Sequence, residues 1–356
     1  MPDLAIVGTG SWGKNLVRNF YELRRQNTIY ACDLEAAKLE RLRNTYPLLR
    51  TTPNYQEILA NDNLKAVVIA TNAVSHYQLA KQALEAGKDV FVEKPLALSY
   101  RQALEVVELA ERQQRILMVG HLMLYHPVTQ QLRELIKNGE LGEIYYIYSQ
   151  RVNLGQVRRD ENALWSFGPH DLSLLFHLLE QEPMDISARG QTYLQEGIED
   201  VVFVSLNFPN RVSAHIHLSW LDPHKLRKVT VVGSKKMAVF DDMATTEKLR
   251  IYNNSAEKKI DYDTYGDYIT LRFGEIMIPY VTMTEPLKLE CQHFLECIEQ
   301  RKPPRTNGRD GLRVIKALEA ANYSLKHNGI PVNLETYFGE LHSSHREVGT
   351  RYQPRQ

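Results

Sequence analysis

The sequence predicts an α/β chain whose first third is a doubly wound parallel sheet and whose remainder is rich in antiparallel strands. Three observations predict it. Short apolar runs alternate with longer amphipathic segments up to about residue 120, and a glycine-rich turn joins the first run to the first amphipathic segment. Beyond Gly120 the runs become aromatic and β-branched and are joined by short turns.

The first strands are expected at Leu4 to Val7, Ile29 to Cys32, Ala66 to Ile69, Val90 to Val92 and Ile116 to Val119. Each is a short, nearly continuous apolar run, as a strand covered on both faces requires. Helices are expected between them at Gly13 to Tyr21, Glu35 to Asn44, Tyr55 to Ala60, Ser75 to Ala86 and Tyr100 to Gln113, most with apolar residues three and four apart. A helix around Val128 to Asn138 follows, then strands at Ile144 to Leu154 and, after another helix, Ile186 to Leu194. Two hairpins are expected, Val201 to Phe208 with Val212 to Ser219 and Val229 to Val232 with Met237 to Phe240. Late helices near Leu287 to Gln300 and Gly311 to His327 flank a turn-rich Pro303-Pro304 segment, and from Leu341 the chain reads as a polar tail.

Composition narrows the function classes. The 356 residues carry 43 Lys+Arg against 43 Asp+Glu, so no whole-molecule field favours nucleic acid or an anionic membrane. No apolar run reaches membrane-helix length, and the start shows neither the basic nor the apolar region of a secretory signal. Cys32, Cys291 and Cys297 make an odd count with no CxxC pair, which suits a reducing, cytoplasmic setting. The length favours two domains, drawn at 1–122 and 123–340, with the tail at 341–356. Lys225, Arg227, Lys228, Lys235 and Lys236 form the densest basic cluster and read as a solvated strand edge and turn.

Gly8-Thr9-Gly10-Ser11-Trp12-Gly13 lies between the first strand and the first helix, the context in which a GxGxxG turn binds a dinucleotide. Gly8 permits the turn, Gly10 lets pyrophosphate approach the backbone, and Gly13 lets helix and strand pack closely. Asp33, twenty residues past Gly13, ends the second strand, where a carboxylate accepts from both ribose hydroxyls and repels a 2′-phosphate. Leu34 and Glu35 supply no cation to reverse that, so the expected cofactor is NAD rather than NADP.

Four blocks, in order, resemble the Gfo/Idh/MocA family of oxidoreductases: the glycine turn, Ala70-Thr71-Asn72-Ala73-Val74-Ser75-His76, Val92-Glu93-Lys94-Pro95-Leu96-Ala97, and Gly168-Pro169-His170-Asp171. The resemblance implies an N-terminal Rossmann doubly wound parallel sheet, followed by an α+β domain with a large open, mostly antiparallel sheet that walls the substrate and mediates self-association as a homodimer or homotetramer. It adds Thr71, Asn72, His76 and Glu93 to Gly8, Gly10, Ser11, Trp12, Gly13 and Asp33 as cofactor-side residues, with His76 equally readable as a surface residue. It also implies that Lys94 touches both the nicotinamide side and the reacting oxygen, beside a proline whose preceding peptide is often cis. Many members carry Asp-x-Gly-x-His, and here the aspartate position is Ser166, so that either Ser166 or the neighbouring Asp171 takes part of its task.

The chemistry needs these residue types in any case. Taking a hydride from a carbinol leaves a carbonyl only if the hydroxyl proton also departs, which calls for a base such as His170. Lys94 can donate to the same oxygen and stabilise developing negative charge. Tyr125, just past the expected domain junction, is a third candidate. His121 with His126, and His170 with His177, show no third ligand, so no metal is expected.

The segment from Arg151 to Ser166 places Arg151, Arg158, Arg159 and Trp165 upstream of His170, residue types that pair with phosphate and pack on a sugar or base. The opposing reading has Arg158 and Arg159 paired with Asp160 and Glu161. The wording around Trp165 to Ser173 resembles members acting on UDP-N-acetylhexosamines, which implies oxidation of a nucleotide sugar at C3. Two alternatives stand beside it: a dehydrogenase or reductase of a free sugar or inositol-like polyol, and a non-catalytic NAD-binding sensor motivated by Ser166. The expected partner is thus a small sugar or nucleotide-sugar substrate, with neither nucleic acid nor membrane.

Overall fold

The structure, a computed structural model, describes residues 3–23, 28–258 and 269–339, and the tail expected from Leu341 lies outside them. In chain order the elements begin β1 (Asp3–Val7), α1 (Gly13–Leu23), β2 (Ile29–Cys32), α2 (Ala36–Thr45), β3 (Arg50–Thr52), α3 (Tyr55–Ala60), β4 (Leu64–Ile69), α4 (Ala73–Glu85), β5 (Asp89–Glu93), α5 (Tyr100–Arg112) and β6 (Leu117–Gly120). They continue with α6 (Pro127–Lys137), β7 (Ile144–Val152), α7 (Ala163–Leu179), β8 (Asp185–Gln191), β9 (Val201–Asn207), β10 (Ser213–Ser219), β11 (Leu226–Gly233), β12 (Met237–Asp241) and β13 (Leu249–Tyr252). The last are β14 (Ser255–Lys258), β15 (Ile269–Arg272), β16 (Ile276–Met277), α8 (Pro286–Gln300), α9 (Gly308–Lys326) and β17 (Val332–Asn333).

Two compact units result, Met1–Gln130 with Thr282–Ile315, and Gln131–Val281 with Lys316–Gln356. In the first, six parallel strands run in the order β3-β2-β1-β4-β5-β6. The chain winds outward from β1 and then crosses to β4, so the switch point lies between those strands, where open α/β sheets bind ligands at their carboxyl ends. Central β4 reads Leu-Lys-Ala-Val-Val-Ile with only Lys65 exposed, because helices cover both of its faces. The polar edge strand β3 carries no apolar pattern and escapes the sequence reading.

The sequence placed a single junction between the two domains, after residue 122. The first unit instead includes α8, whose apolar face packs on α1 and β5. Phe294 meets Phe20 at 6.4 Å and Phe91 at 5.5 Å between ring centroids, and Leu287, Cys291 and Ile298 join the same core. The turn after α8 adds to the sheet edge, with Val119 N donating to the Thr306 carbonyl at 2.8 Å.

In the second unit nine strands follow the order β16-β13-β12-β11-β7-β10-β9-β8-β17, and β14 pairs separately with β15. β7 and β10 run parallel while the other described pairs are antiparallel, and both expected hairpins form. Burial alternates along β9 and β10, so one face of the sheet is covered and the other open. The apolar helix α7 lies on the covered face against β7, β9 and β10. Across the open face Tyr146 and Tyr148 of β7 stack at 6.3 Å and Phe203 of β9 stacks on His217 of β10 at 4.5 Å. The basic cluster is largely paired at this sheet's strands and turns, Lys228 with Asp241 at 3.2 Å and Arg227 with Asp242 at 3.6 Å.

Candidate active site

The glycine turn crosses the carboxyl end of β1. Gly8 has φ +89°, and a Cβ at Gly13 would stand 1.9 Å from the Gly8 carbonyl oxygen, so neither position admits a side chain. A Cβ at Gly10 would meet nothing within 4 Å, which leaves that side of the loop open to a ligand at the N-terminus of α1. Asp33 closes the nucleotide end. Its Oδ2 accepts from Thr9 N at 2.7 Å and Thr9 Oγ1 at 2.8 Å, and its Oδ1 from Glu35 N at 3.0 Å. Burial opposes ionisation of Asp33, but these donors and Lys38 outweigh it and hold the carboxyl below its usual value. Lys38 Nζ lies 3.9 Å from Asp33 Oδ1 and 2.6 Å from Glu35 Oε1, a nearby cation that a reading limited to residues 34 and 35 overlooks.

The carboxyl end of β5 carries Glu93 and Lys94, and the Lys94–Pro95 peptide is cis. Glu93 is buried, with Trp12 Nε1 donating to Oε1 at 2.5 Å and Lys94 N donating to Oε2 at 3.3 Å. Gly120 pairs with Glu93 across β5 and β6, and a Cβ there would come 2.8 Å from Glu93 Oε2. Burial pushes the Glu93 carboxyl up to about 7. His76, read as a cofactor-side or surface residue, is buried, its ring nitrogens meeting the Pro95 carbonyl oxygen at 2.7 Å and the Thr71 carbonyl oxygen at 3.1 Å. It therefore braces the Thr71 loop against the Lys94–Pro95 turn, and burial lowers its pKa. Thr71 and Asn72 sit at the N-terminus of α4, where Thr71 Oγ1 and Ser75 Oγ share a hydrogen bond of 2.7 Å. Thus the glycine turn, Asp33, Thr71, Asn72, Glu93 and Lys94 all fall along one edge of the parallel sheet, at the ends of β1, β2, β4 and β5.

Two further residues lie near this edge, His121, weighed in the sequence only as half of a metal pair, and Glu290, not singled out there. His121 is fully buried with neither ring nitrogen bonded among the described residues, and burial, helped by the Lys94 charge, holds it neutral with a pKa near 3. Glu290 is likewise buried with both carboxyl oxygens unpartnered among the described residues. Its signal was available: an acid standing in the Leu287, Cys291, Phe294, Ile298 stripe of an amphipathic helix.

His170 belongs to the second unit and lies inside α7. The helix begins at Ala163, where Asn162 caps it, its side chain accepting from Trp165 N at 3.1 Å. Trp165 and Ser166 are half-buried on the first turn of α7, with His170 one turn further along. The expected substrate contacts of Arg151 and Asp171 are corrected. These two side chains are buried against each other, Arg151 Nε donating to Asp171 Oδ2 at 2.6 Å, and Ser149 Oγ also donates to Asp171. An ionised pair removed from water in this way fixes α7 to β7 and is not free to hold phosphate. Arg158 is bound to Asp160 and Glu161 at 3.2 and 3.0 Å, the surface alternative read from the sequence, while Arg159 is exposed. Tyr125 is corrected as well: it is a core residue of the first unit, bonded to Thr306 Oγ1 at 3.1 Å beneath the Arg305 guanidinium.

A parallel sheet with a glycine turn, a ribose-side acid and a lysine on one carboxyl edge defines an oxidoreductase of the nicotinamide-dinucleotide class. The profile described as "Oxidoreductase family, NAD-binding Rossmann fold" matches residues 3–121, and that of the GFO/IDH/MocA C-terminal domain matches residues 129–239. The chain belongs to the Gfo/Idh/MocA family, and its cofactor is NAD, which the open Gly10 side and the oriented Asp33 fit. It is similar to scyllo-inositol 2-dehydrogenase (NAD(+)) of Bacillus subtilis, 24% identical over 93% of this chain and 96% of that protein. It is also similar to UDP-N-acetylglucosamine 3-dehydrogenase of Acidithiobacillus ferrooxidans, 25% identical over 75% of this chain and 80% of that protein. That enzyme's structure superposes with TM-score 0.76 at 21% identity, covering 92% of this chain and 98% of that one. GenD2 from gentamicin A biosynthesis, solved in complex with NAD, superposes with TM-score 0.77 at 20% identity, covering 93% of this chain and 95% of that one. No described helix is long and apolar enough to cross a membrane.

Proposed function

We propose that this protein is an NAD-dependent dehydrogenase that oxidises a ring hydroxyl, at C3, of a nucleotide sugar of the UDP-N-acetylhexosamine kind. The observation that carries the redox reading is the alignment of the dinucleotide turn, Asp33 and Lys94 on one edge of the first unit's sheet. NAD, when bound, supplies the hydride acceptor. Lys94 donates to the substrate oxygen and stabilises the negative charge that grows on it. His170 accepts the hydroxyl proton. Thr9 holds the Asp33 carboxylate toward the ribose, and His76 braces the loops on either side. The nucleotide-sugar assignment is supported by the Trp165 to Ser173 wording and by the UDP-N-acetylglucosamine 3-dehydrogenase among the relatives.

A second reading, oxidation of a free polyol, is favoured by a specific observation. Arg151 and Arg158 are occupied by Asp171, Asp160 and Glu161, which removes two of the three arginines that spoke for a diphosphate. Formation of NADH against a panel of UDP-sugars and inositols separates the two. Turnover of inositol without UDP-sugar turnover overturns the first reading, and tight NAD binding with no turnover at all supports the sensor. Lys94→Ala and His170→Ala are each expected to lower kcat by about 100-fold or more; unchanged turnover in either refutes that residue's role.

A further inference from the structure

Two buried carboxyl groups take no part in the chemistry above. The Phe91–Phe294 ring contact, 5.5 Å between centroids, sets one face of β5 against one face of α8. Strand side chains two apart share a face, and so do helix side chains four apart. The same contact therefore brings together Glu93, two residues past Phe91, and Glu290, four before Phe294. Glu93 is seated by Trp12 Nε1 and Lys94 N, with Gly120 leaving room for its carboxyl group. Glu290 is 0% exposed and has no hydrogen-bond donor among the described residues. An ionised carboxylate in that setting is very costly, so Glu290 is held as the acid. Burial and the neighbouring Glu93 charge both act in that direction.

The groups facing the pair come from several elements. Lys94 lies at the end of β5, His121 and Tyr125 follow β6, and Cys291 stands beside Glu290 on α8. Burial keeps all of these but Lys94 uncharged, lowering His121 and raising Tyr125 and Cys291. Farther out, Arg18 of α1 is bound to Glu285 at 2.5 Å and Arg305 lies over the Tyr125 ring. The Lys94 ammonium thus acts on Glu93, and charge balance is met when the two carboxyl groups carry one negative charge between them.

We infer that Glu93 and Glu290 form a proton-holding pair at the cofactor edge. They share one proton while Lys94 is the cation beside them, release it when the positively charged oxidised nicotinamide binds, and recover it when that ring is neutral. On release one carboxyl O–H bond breaks and its proton passes to water; on recovery the bond re-forms, and no electrons move in either step. The inference rests on NAD binding by the first unit and not on the sugar, so the sugar panel can fail without touching it.

Calorimetric titration of the full chain with NAD+ and with NADH, near pH 7 in two buffers of different ionisation enthalpy, counts the protons. NAD+ is expected to release on the order of one proton per site more than NADH, and its affinity to rise by up to about tenfold per pH unit through that window. Glu290→Gln is expected to bind both forms and to abolish the difference. Infrared difference spectra of the unmodified protein are expected to lose a protonated carboxyl band on adding NAD+, a readout that stands if the variant does not fold. Equal proton counts for the two cofactor forms, no loss of that band, or a difference that survives in Glu290→Gln overturns the inference.

Discussion

Thr9 fixes the direction of Asp33 before any cofactor arrives, and Lys38 waits within 4 Å of the same carboxylate. Asp33→Ala removes the repulsion of a 2′-phosphate while leaving that cation in place. It is expected to weaken NAD binding by about 10- to 100-fold, the worth of charged hydrogen bonds, and to admit NADP. Asp33→Ala/Lys38→Ala is then expected to lose the NADP gain; fluorescence titration with both cofactors checks it. The glycine turn and Asp33 could be named from their spacing along the chain, whereas Lys94 and His170 were named on the family resemblance. Arg151 and Asp171 misled because their partnership spans twenty residues and depends on α7 lying over β7. Glu93 adds a pH prediction. Its carboxyl is raised from 4.5 to about 7, so its contribution to stability is complete below pH 4.5 and is lost as pH rises through 7. Thermal denaturation of the cofactor-free protein is expected to show this loss, and Glu93→Gln to flatten it.

The elements that sequence foretold are those with one dominant signal. Runs such as Val67-Val68-Ile69 mark strands buried on both faces, and the paired runs around residues 209–211 mark a hairpin whose Asn210 and Arg211 take positive φ. What escaped had no local signal: β3 is three polar residues at an edge, and β13, β16 and β17 are two to four residues long, defined by the neighbours they pair with. Helix α8 was foreseen as a helix, but its placement was not, since an amphipathic pattern reveals that a face is buried and not against what. Phe294 is the centre of that face. Phe294→Ala is expected to cost about 3–5 kcal/mol in chemical denaturation of the cofactor-free protein, and a loss below 1 kcal/mol would show that α8 is not integral to the unit.

For the molecule as a whole, the open face of the nine-stranded sheet is the feature without a covering layer of its own among the described residues. Tyr146, Tyr148, Phe203 and His217 make it aromatic across three adjacent strands, and a face of that composition fits a second copy of the chain. With Phe203→Glu and Tyr148→Glu together, light scattering is expected to shift from a dimer or tetramer to a monomer; an unmodified chain already monomeric refutes it. The fold class itself was open to the sequence because period and turn chemistry agree along its length.

The return of α8 to the nucleotide unit also orders events during synthesis. Strands β1 to β6 leave the ribosome well before Phe294 does, so Phe20 and Phe91 stay uncovered while some two hundred further residues are made. A chain interrupted before Gln300 is left with an apolar flank on its cofactor half, a target for chaperones or proteases. Completion of that half thus reports that most of the chain has been translated.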